Sequence, residues 1–144
     1  IEIIYTDSTY LELKIEAPRL ERYVKSEKEQ YTEFPEGLHV YFYDKSDQPG
    51  SEIEANYAIY YEDEELWEAR NNVIARNQKG EVLKTELLFW DDEENRIYTD
   101  EFAKVTDQES EIQGEGFEAN EDMSNWEFKK VTGIINLEDE DEKK

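Results

Sequence analysis

The chain has 144 residues, 39 acidic against 16 basic side chains, a formal charge of −23, no cysteine and one histidine. That balance argues against nucleic acid and anionic membrane surfaces as partners, because both are held by basic patches, and the missing thiols remove disulfides, thiol catalysis and thiolate metal sites. An aromatic content of 13% nevertheless implies a buried interior rather than the disorder such charge otherwise signals, in a chain of one-domain length.

Leu11, Leu13, Ile15 and Ala17 alternate with Glu12, Lys14 and Glu16, the period of a strand with one buried face. Pro18 interrupts that ladder. Between Leu20 and Glu33 the apolar residues Leu20, Tyr23, Val24 and Tyr31 form no sustained stripe and have no strong cap, so a helix there is poorly supported. Pro35-Glu36-Gly37 reads as a turn, with proline presetting φ and glycine supplying positive φ. Val40 and Phe42 then alternate with His39, Tyr41 and Tyr43, and a second turn signal follows at Asp47-Gln48-Pro49-Gly50. Ile53, Ala55, Tyr57 and Ile59 alternate with Glu52, Glu54, Asn56 and Ala58 up to a charged hairpin tip at Glu62–Glu65. Glu64–Arg70 has room for one helical turn at most. Asn77-Gln78-Lys79-Gly80 is the next turn; Leu83, Thr85, Leu87 and Phe89 follow the two-residue rule, and Asp91–Asn95 makes another acidic tip. The longest apolar runs, Tyr57–Tyr61 and Leu87–Trp90, fall far short of the ~18 residues of a membrane span. Glu138–Lys144 holds five acids, two lysines and no apolar residue. It is expected to be a disordered tail carrying −3, which leaves −20 on residues 1–137, the expected domain.

Strands recurring every 10–12 residues with turns between them predict an antiparallel all-β fold with little helix. Tyr57, Leu87 and Phe117 are spaced thirty apart, and each precedes an acidic or Asn-rich turn and then an aromatic-bearing strand, around Trp67, Tyr98 and Trp126. A repeated unit of strand, acidic turn and aromatic strand predicts stacked hairpins that share one core.

Catalytic and metal chemistry finds little purchase. His39 lies within an alternating strand and no Gly-x-Ser-x-Gly elbow surrounds any serine, so His39 reads as a strand-surface residue. With 39 acids, pairs of carboxylates carry no signal of glycoside hydrolysis. Asp91, Glu93 and Asn95 have the odd-position spacing of a calcium loop, but Arg96 stands at the loop's glycine position and Phe102 at its twelfth. Gly114-Glu115-Gly116, inside a strand pattern, reads as a bulge or close backbone approach. No catalytic residue, metal ligand or cofactor is expected. What remains is an apolar face of Leu13, Ile15, Phe42, Ile53, Tyr57, Ile59, Trp67, Leu87, Phe89, Tyr98, Phe117 and Phe128. By alternation alone this face is a core first and a groove for a long apolar ligand second.

The order of several segments resembles the LptC family of lipopolysaccharide-export proteins, in its Bacteroidetes-type branch. These are Ile3–Ser8, Leu13–Pro18, Phe34–Leu38, Glu54–Ala58, Leu66–Val73, Leu83–Asp91 and Ile112–Met123. The resemblance implies a twisted, boat-like β-jelly roll of two antiparallel sheets and a non-enzymatic carrier. It implies that lipopolysaccharide arrives from the inner-membrane ABC transporter and that its acyl chains lie between the sheets, where the face named above would hold them. It further implies edge-strand pairing with an LptA-type bridge protein, and a periplasmic position anchored to the inner membrane by a segment ahead of Ile1. A structural or adaptor β-domain without a lipid ligand is the competing expectation.

Overall fold

The computed structural model describes residues 1–6, 12–43 and 48–137. Leu11, the Asp47 end of the second turn signal and the acidic tail lie outside these residues. The strands are β1 (Glu2–Thr6), β2 (Glu12–Glu16), β3 (Glu21–Ser26), β4 (Glu29–Phe34), β5 (Leu38–Tyr43) and β6 (Pro49–Ala55). They continue with β7 (Tyr57–Tyr61), β8 (Leu66–Arg76), β9 (Val82–Asp91), β10 (Arg96–Thr106), β11 (Ser110–Asn120) and β12 (Trp126–Asn136). All pairings are antiparallel, in the order β1-β2-β5-β6-β8-β9-β10-β11-β12, with a branch β3-β4-β7 that joins β8.

The branch explains the architecture. β8 pairs with β7 through Leu66–Arg70 and with β6 through Ile74–Arg76. One long strand therefore serves two leaves of a sheet folded over on itself. The neighbouring strands do the same in pieces: β4 and β5 are joined at Pro35–Gly37, and β6 and β7 at Asn56. The first leaf contains β1, β2, β5, β6 and the second half of β8. The second leaf contains β3, β4, β7 and the first half of β8. Strands β9 to β12 cross both leaves. This is the β-jelly roll expected from the resemblance, built as one continuous open sheet.

A spine of irregular residues runs along the fold. Asn71 (φ 68) and Asn72 (φ 53) bulge from β8 where the β8–β9 register shifts, and Asn71 O accepts the Asn56 amide at 3.0 Å. The β10–β11 register shifts beside Gly116 (φ 71), and the β11–β12 register shifts at Gln113/Gly114. Thus Gly114-Glu115-Gly116 does mark a bulge. It also marks a close approach, since a Cβ on Gly114 would meet the Phe128 ring at 2.6 Å. At the front of the spine Gly37 (φ 90) turns the chain, its amide donating to Phe34 O at 3.1 Å.

The thirty-residue period is present in three dimensions. β8, β10 and β12 begin at Leu66, Arg96 and Trp126, and each bulges near its middle. Glu65 and Asn95, thirty apart, both close their hairpins at positive φ. Two segments to which the periodicity assigns no element prove to be β structure and turn, in keeping with the little helix expected. Leu20–Glu33 is neither helix nor loop but the β3–β4 hairpin, which alternation missed because the exposed β3 buries almost no face. Glu64–Arg70 is a turn followed by strand.

Two predictions come from these turns. Gly37→Ala forces a left-handed φ on a residue with a side chain and drives its Cβ to 2.4 Å from Ala55 O. We expect a loss of at least about 2 kcal/mol in urea unfolding. Asp107 Oδ1 accepts the amides of Ser110 and Glu109, both at 2.7 Å, and these bonds hold its carboxyl below the usual 3.8. A carboxyl depressed by folding contributes stability above its unfolded pKa and loses it as pH falls through the folded value. Asp107→Ala is therefore less stable than the parent at neutral pH, and the gap closes as the pH drops below 3.8; urea midpoints along a pH series read this.

Candidate functional site

The inner surface of the first leaf is an aliphatic row that runs across every strand: Ile3, Ile15, Val40, Ile53, Ala75, Leu83, Val105, Ile112 and Ile134 are successive cross-strand partners. On the second leaf the matching row is aromatic, with Tyr60, Trp67, Trp90, Ile97, Ala119 and Trp126 in register. Trp67 stacks on Trp90 at 5.3 Å, and on Tyr60 at 4.4 Å. Phe42 of β5 meets Trp90 of β9 edge-on at 5.1 Å, which joins the two leaves face to face. At the centre the space is filled: Phe34, Phe42, Phe117, Leu83, Leu88, Ile97 and Met123 are buried almost completely.

Cover runs out toward β12. Leu83 is 0% exposed in the aliphatic row, whereas Ile134 at its end is 71% exposed, and Val131 in the adjoining row is 52% exposed. Across from them Trp126 and Phe128 are only half-buried against the core. The inner apolar surface is therefore sealed in the middle and open along its last strand, which has no partner on its far side among the described residues.

The residues picked out by alternation divide between the two faces. Ile15, Phe42, Ile53, Trp67 and Phe117 stand in the core cluster, with Leu13 and Phe128 packed against it. Tyr57, Ile59, Leu87, Phe89 and Tyr98 stand on the outer face of the second leaf. Phe89 lies opposite Glu68 and Tyr98, while its neighbour Trp90 lies opposite Trp67 and Ile97. Phe89 and Tyr98 stack at 5.4 Å, and the Arg96 guanidinium lies over the Tyr98 ring. Tyr57 donates to Glu33 Oε2 at 2.6 Å under Arg70, and burial followed by that bond pushes its pKa up to about 12. Ile59 is buried, between Glu33 and Glu68 in the register, but lies outside the core cluster.

The physical reason is the bend. In β9 Leu83 and Thr85 face inward, but the bulge opposite Asn71–Asn72 shifts the phase, so Leu88 and Trp90 face inward in place of Leu87 and Phe89. Val131 and Ile134, the most exposed inner residues, were absent from the sequence selection. Their three-residue spacing across the Thr132 bulge breaks strict alternation, and the signal for it lay on the neighbouring strand, in the bulge read at Gly114-Glu115-Gly116.

The outer face carries the charge. His39 is stacked on Tyr41 and stands between two carboxylates, with Nε2 2.9 Å from Glu52 and Nδ1 3.4 Å from Glu54; Arg76 reaches both acids at 3.4 Å. It is a strand-surface residue. Among the described residues no group of three or more His, Asp or Glu side chains is disposed to hold a metal. Asp91 instead accepts the Glu94 amide at 3.1 Å in its hairpin tip. A cavity of about 750 Å3 along the spine is lined by Glu2, Glu16, Glu36, Glu54 and His39, and so is acidic rather than apolar.

With this geometry, the sequence matches, over residues 2–136, the family described as lipopolysaccharide-assembly, LptC-related. The chain belongs to the LptC family. That family serves lipopolysaccharide transport and contains no known enzyme. Among solved structures the fold is similar to LptH of Pseudomonas aeruginosa, described as the LptA-homologous periplasmic component of the lipopolysaccharide transport device, with a TM-score of 0.58, 14% identity and 84% of each chain covered. No curated protein matches the sequence. No helix among the described residues is long and apolar enough to cross a membrane.

The assignment of faces predicts a sharp contrast between adjacent residues of this LptC-family chain. Trp90→Ala empties the centre of the inter-leaf stack and costs about 3–5 kcal/mol. Phe89→Ala removes an outer-face pair and costs about 1 kcal/mol. Chemical unfolding of the two variants side by side checks it.

Proposed function

We propose that residues 1–137 form one periplasmic domain that carries lipopolysaccharide by its acyl chains. The observation that supports this most directly is the inner apolar surface left uncovered along β12, where Val131 and Ile134 are exposed beside half-buried Trp126 and Phe128. Each methylene transferred from water to such a surface is worth about 0.8 kcal/mol. A chain of charge −23 gives the lipid's phosphates no attraction, so the acyl chains supply the affinity.

In this reading the cargo comes from the inner-membrane ABC transporter, and the domain is held there by a segment ahead of Ile1. The cargo leaves to an LptA-type bridge protein. Strand β12, eleven residues long with an edge left unpaired among the described residues, is the surface that would accept a strand of the partner. A lipid-free adaptor is the second reading, and the filled centre around Phe34, Phe42 and Phe117 favours it.

Photo-crosslinking with lipopolysaccharide separates the two. Probes at Val131, Ile134 and Phe128 should capture the lipid, and a probe at Phe89 on the outer face should not. A folded protein that yields no adduct from any inner position, or equal adducts from both faces, rules out the carrier.

A further inference from the structure

We infer that Glu81 is a positioning residue for the cargo: by holding the Trp126 indole across the leaves it fixes the side wall against which an acyl chain packs on the open side of the inner surface. The inference deepens the carrier reading and rests on it.

Trp126 opens β12, the last strand of the sheet among the described residues, and stands on the inner face of the second leaf opposite Ala119. Its Nε1 donates to Glu81 Oε1 at 3.1 Å, in the β8–β9 turn of the first leaf. The bond spans the gap between the leaves at the margin where cover runs out. The indole stacks on fully buried Phe117 at 6.0 Å and meets half-buried Phe128 edge-on at 5.9 Å. It therefore stands where the filled centre ends and the open surface begins. An acyl chain lying on Val131 and Ile134 reaches it without parting Phe42 from Trp90.

The acceptor is itself held in place. Asn77 Nδ2 donates to the same Glu81 Oε1 at 2.9 Å, Asn77 Oδ1 accepts the Glu81 amide at 3.0 Å, and the Asn77 amide donates to Glu81 O at 3.2 Å. The turn that carries Glu81 is tied in turn to the β11–β12 turn of the second leaf. There Asn77 Nδ2 also donates to Met123 O at 2.8 Å, and Lys79 Nζ donates to Ser124 O at 2.7 Å. The indole N–H thus meets a fixed and ionisable acceptor, and a bond to a charged oxygen is stronger than one to a neutral oxygen.

This bond is not what closes the core. Phe34, Phe42 and Phe117 fill the centre without it, and a half-buried indole at the rim would find water for its N–H. What the bond adds is orientation. A free rim side chain loses rotamer freedom when a ligand packs on it, whereas one already held lost that freedom on folding. Phe128, Val131 and Ile134 have no side-chain polar atom by which the opposite leaf could hold them. Trp126 is the residue of this open end whose side chain the first leaf fixes by a hydrogen bond.

The test uses protein labelled with 5-fluorotryptophan, which gives one fluorine resonance for each of the three tryptophans; the Trp126 resonance is the one missing from Trp126→Phe. Dodecyl maltoside, a neutral single-chain amphiphile, is titrated in below its micelle concentration. In the parent the Trp126 resonance should move with binding while those of Trp67 and Trp90 stay in place. Glu81→Ala should displace the Trp126 resonance before any amphiphile is added and weaken binding about five-fold, the effect of ordering one freed side chain. Glu81→Gln keeps an oxygen that accepts the indole N–H and should retain the parent resonance and the parent affinity. On the Trp126→Phe background Glu81→Ala should change affinity no further, a coupling that a merely structural role for Glu81 does not produce. Parent-like affinity in Glu81→Ala, or the same loss on both backgrounds, overturns the positioning role and leaves the carrier intact. A Trp126 resonance that does not respond to bound amphiphile overturns the wall. Failure of the parent to bind the amphiphile overturns the carrier reading as well.

Discussion

Every long strand in this protein has to serve two leaves, and the bend that allows it is the constraint on which the rest depends. A strand that continued straight through the spine would carry its inner side chains away from the opposing leaf. The bulge lets β8 pair with β7 before Asn71 and with β6 after Asn72, and β9 to β12 must follow at the same level or lose their ladders. The residues tolerated there are those that accept positive φ or have no Cβ: Asn71, Asn72, Gly37 and Gly116. Once the bends align, the aliphatic row of the first leaf falls opposite the aromatic row of the second. The Trp67–Trp90–Phe42 contacts then follow as packing consequences.

The same constraint sets what can be read from the sequence. Alternation identified the strands around Ile15, Phe42 and Ile53 and put these residues on the buried face, because within one leaf the two-residue rule holds. The turns at Pro35–Gly37 and Asn77–Gly80 were legible because positive φ at Gly37 and Gly80 needs the residue present. The thirty-residue period was legible because each hairpin repeats both the acidic tip and the bend. Phase beyond a bend was not legible. Leu83 and Thr85 predict Leu87 and Phe89 as inner residues, and the one-residue shift substitutes Leu88 and Trp90. The β3–β4 hairpin was hidden for another reason: a strand exposed on both faces, such as Glu21–Ser26, has no reason to alternate.

Charge and edge are linked. The acids occupy outer faces and hairpin tips, where they pair with scarce cations, as Glu52 and Glu54 do with Arg76 and His39. An open sheet exposes unpaired edges that invite aggregation, and a large negative charge keeps like chains apart in solution. In the carrier reading, an edge guarded in this way would discriminate against random strands and admit one whose own charge or apolar inner row compensates. The exposed Val131 and Ile134 beside the β12 edge supply such an apolar continuation.

The filled centre limits where a carrier could place its cargo. Prising the leaves apart at Phe34, Phe42 and Phe117 would re-expose side chains whose burial is worth about 1.5–3 kcal/mol each. An acyl chain recovers about 0.8 kcal/mol per methylene, so each displaced aromatic consumes the gain from roughly two to four methylenes. Along β12 no such exchange is needed, since Ile134 and Val131 already face water. In the carrier reading, cargo therefore lies first on the open side. A bridge partner paired at that edge would extend both inner rows and supply a wall on that side. The depth of the groove then becomes a property of the assembled bridge more than of one domain, and a single chain with a sealed middle is what such an assembly requires of its parts.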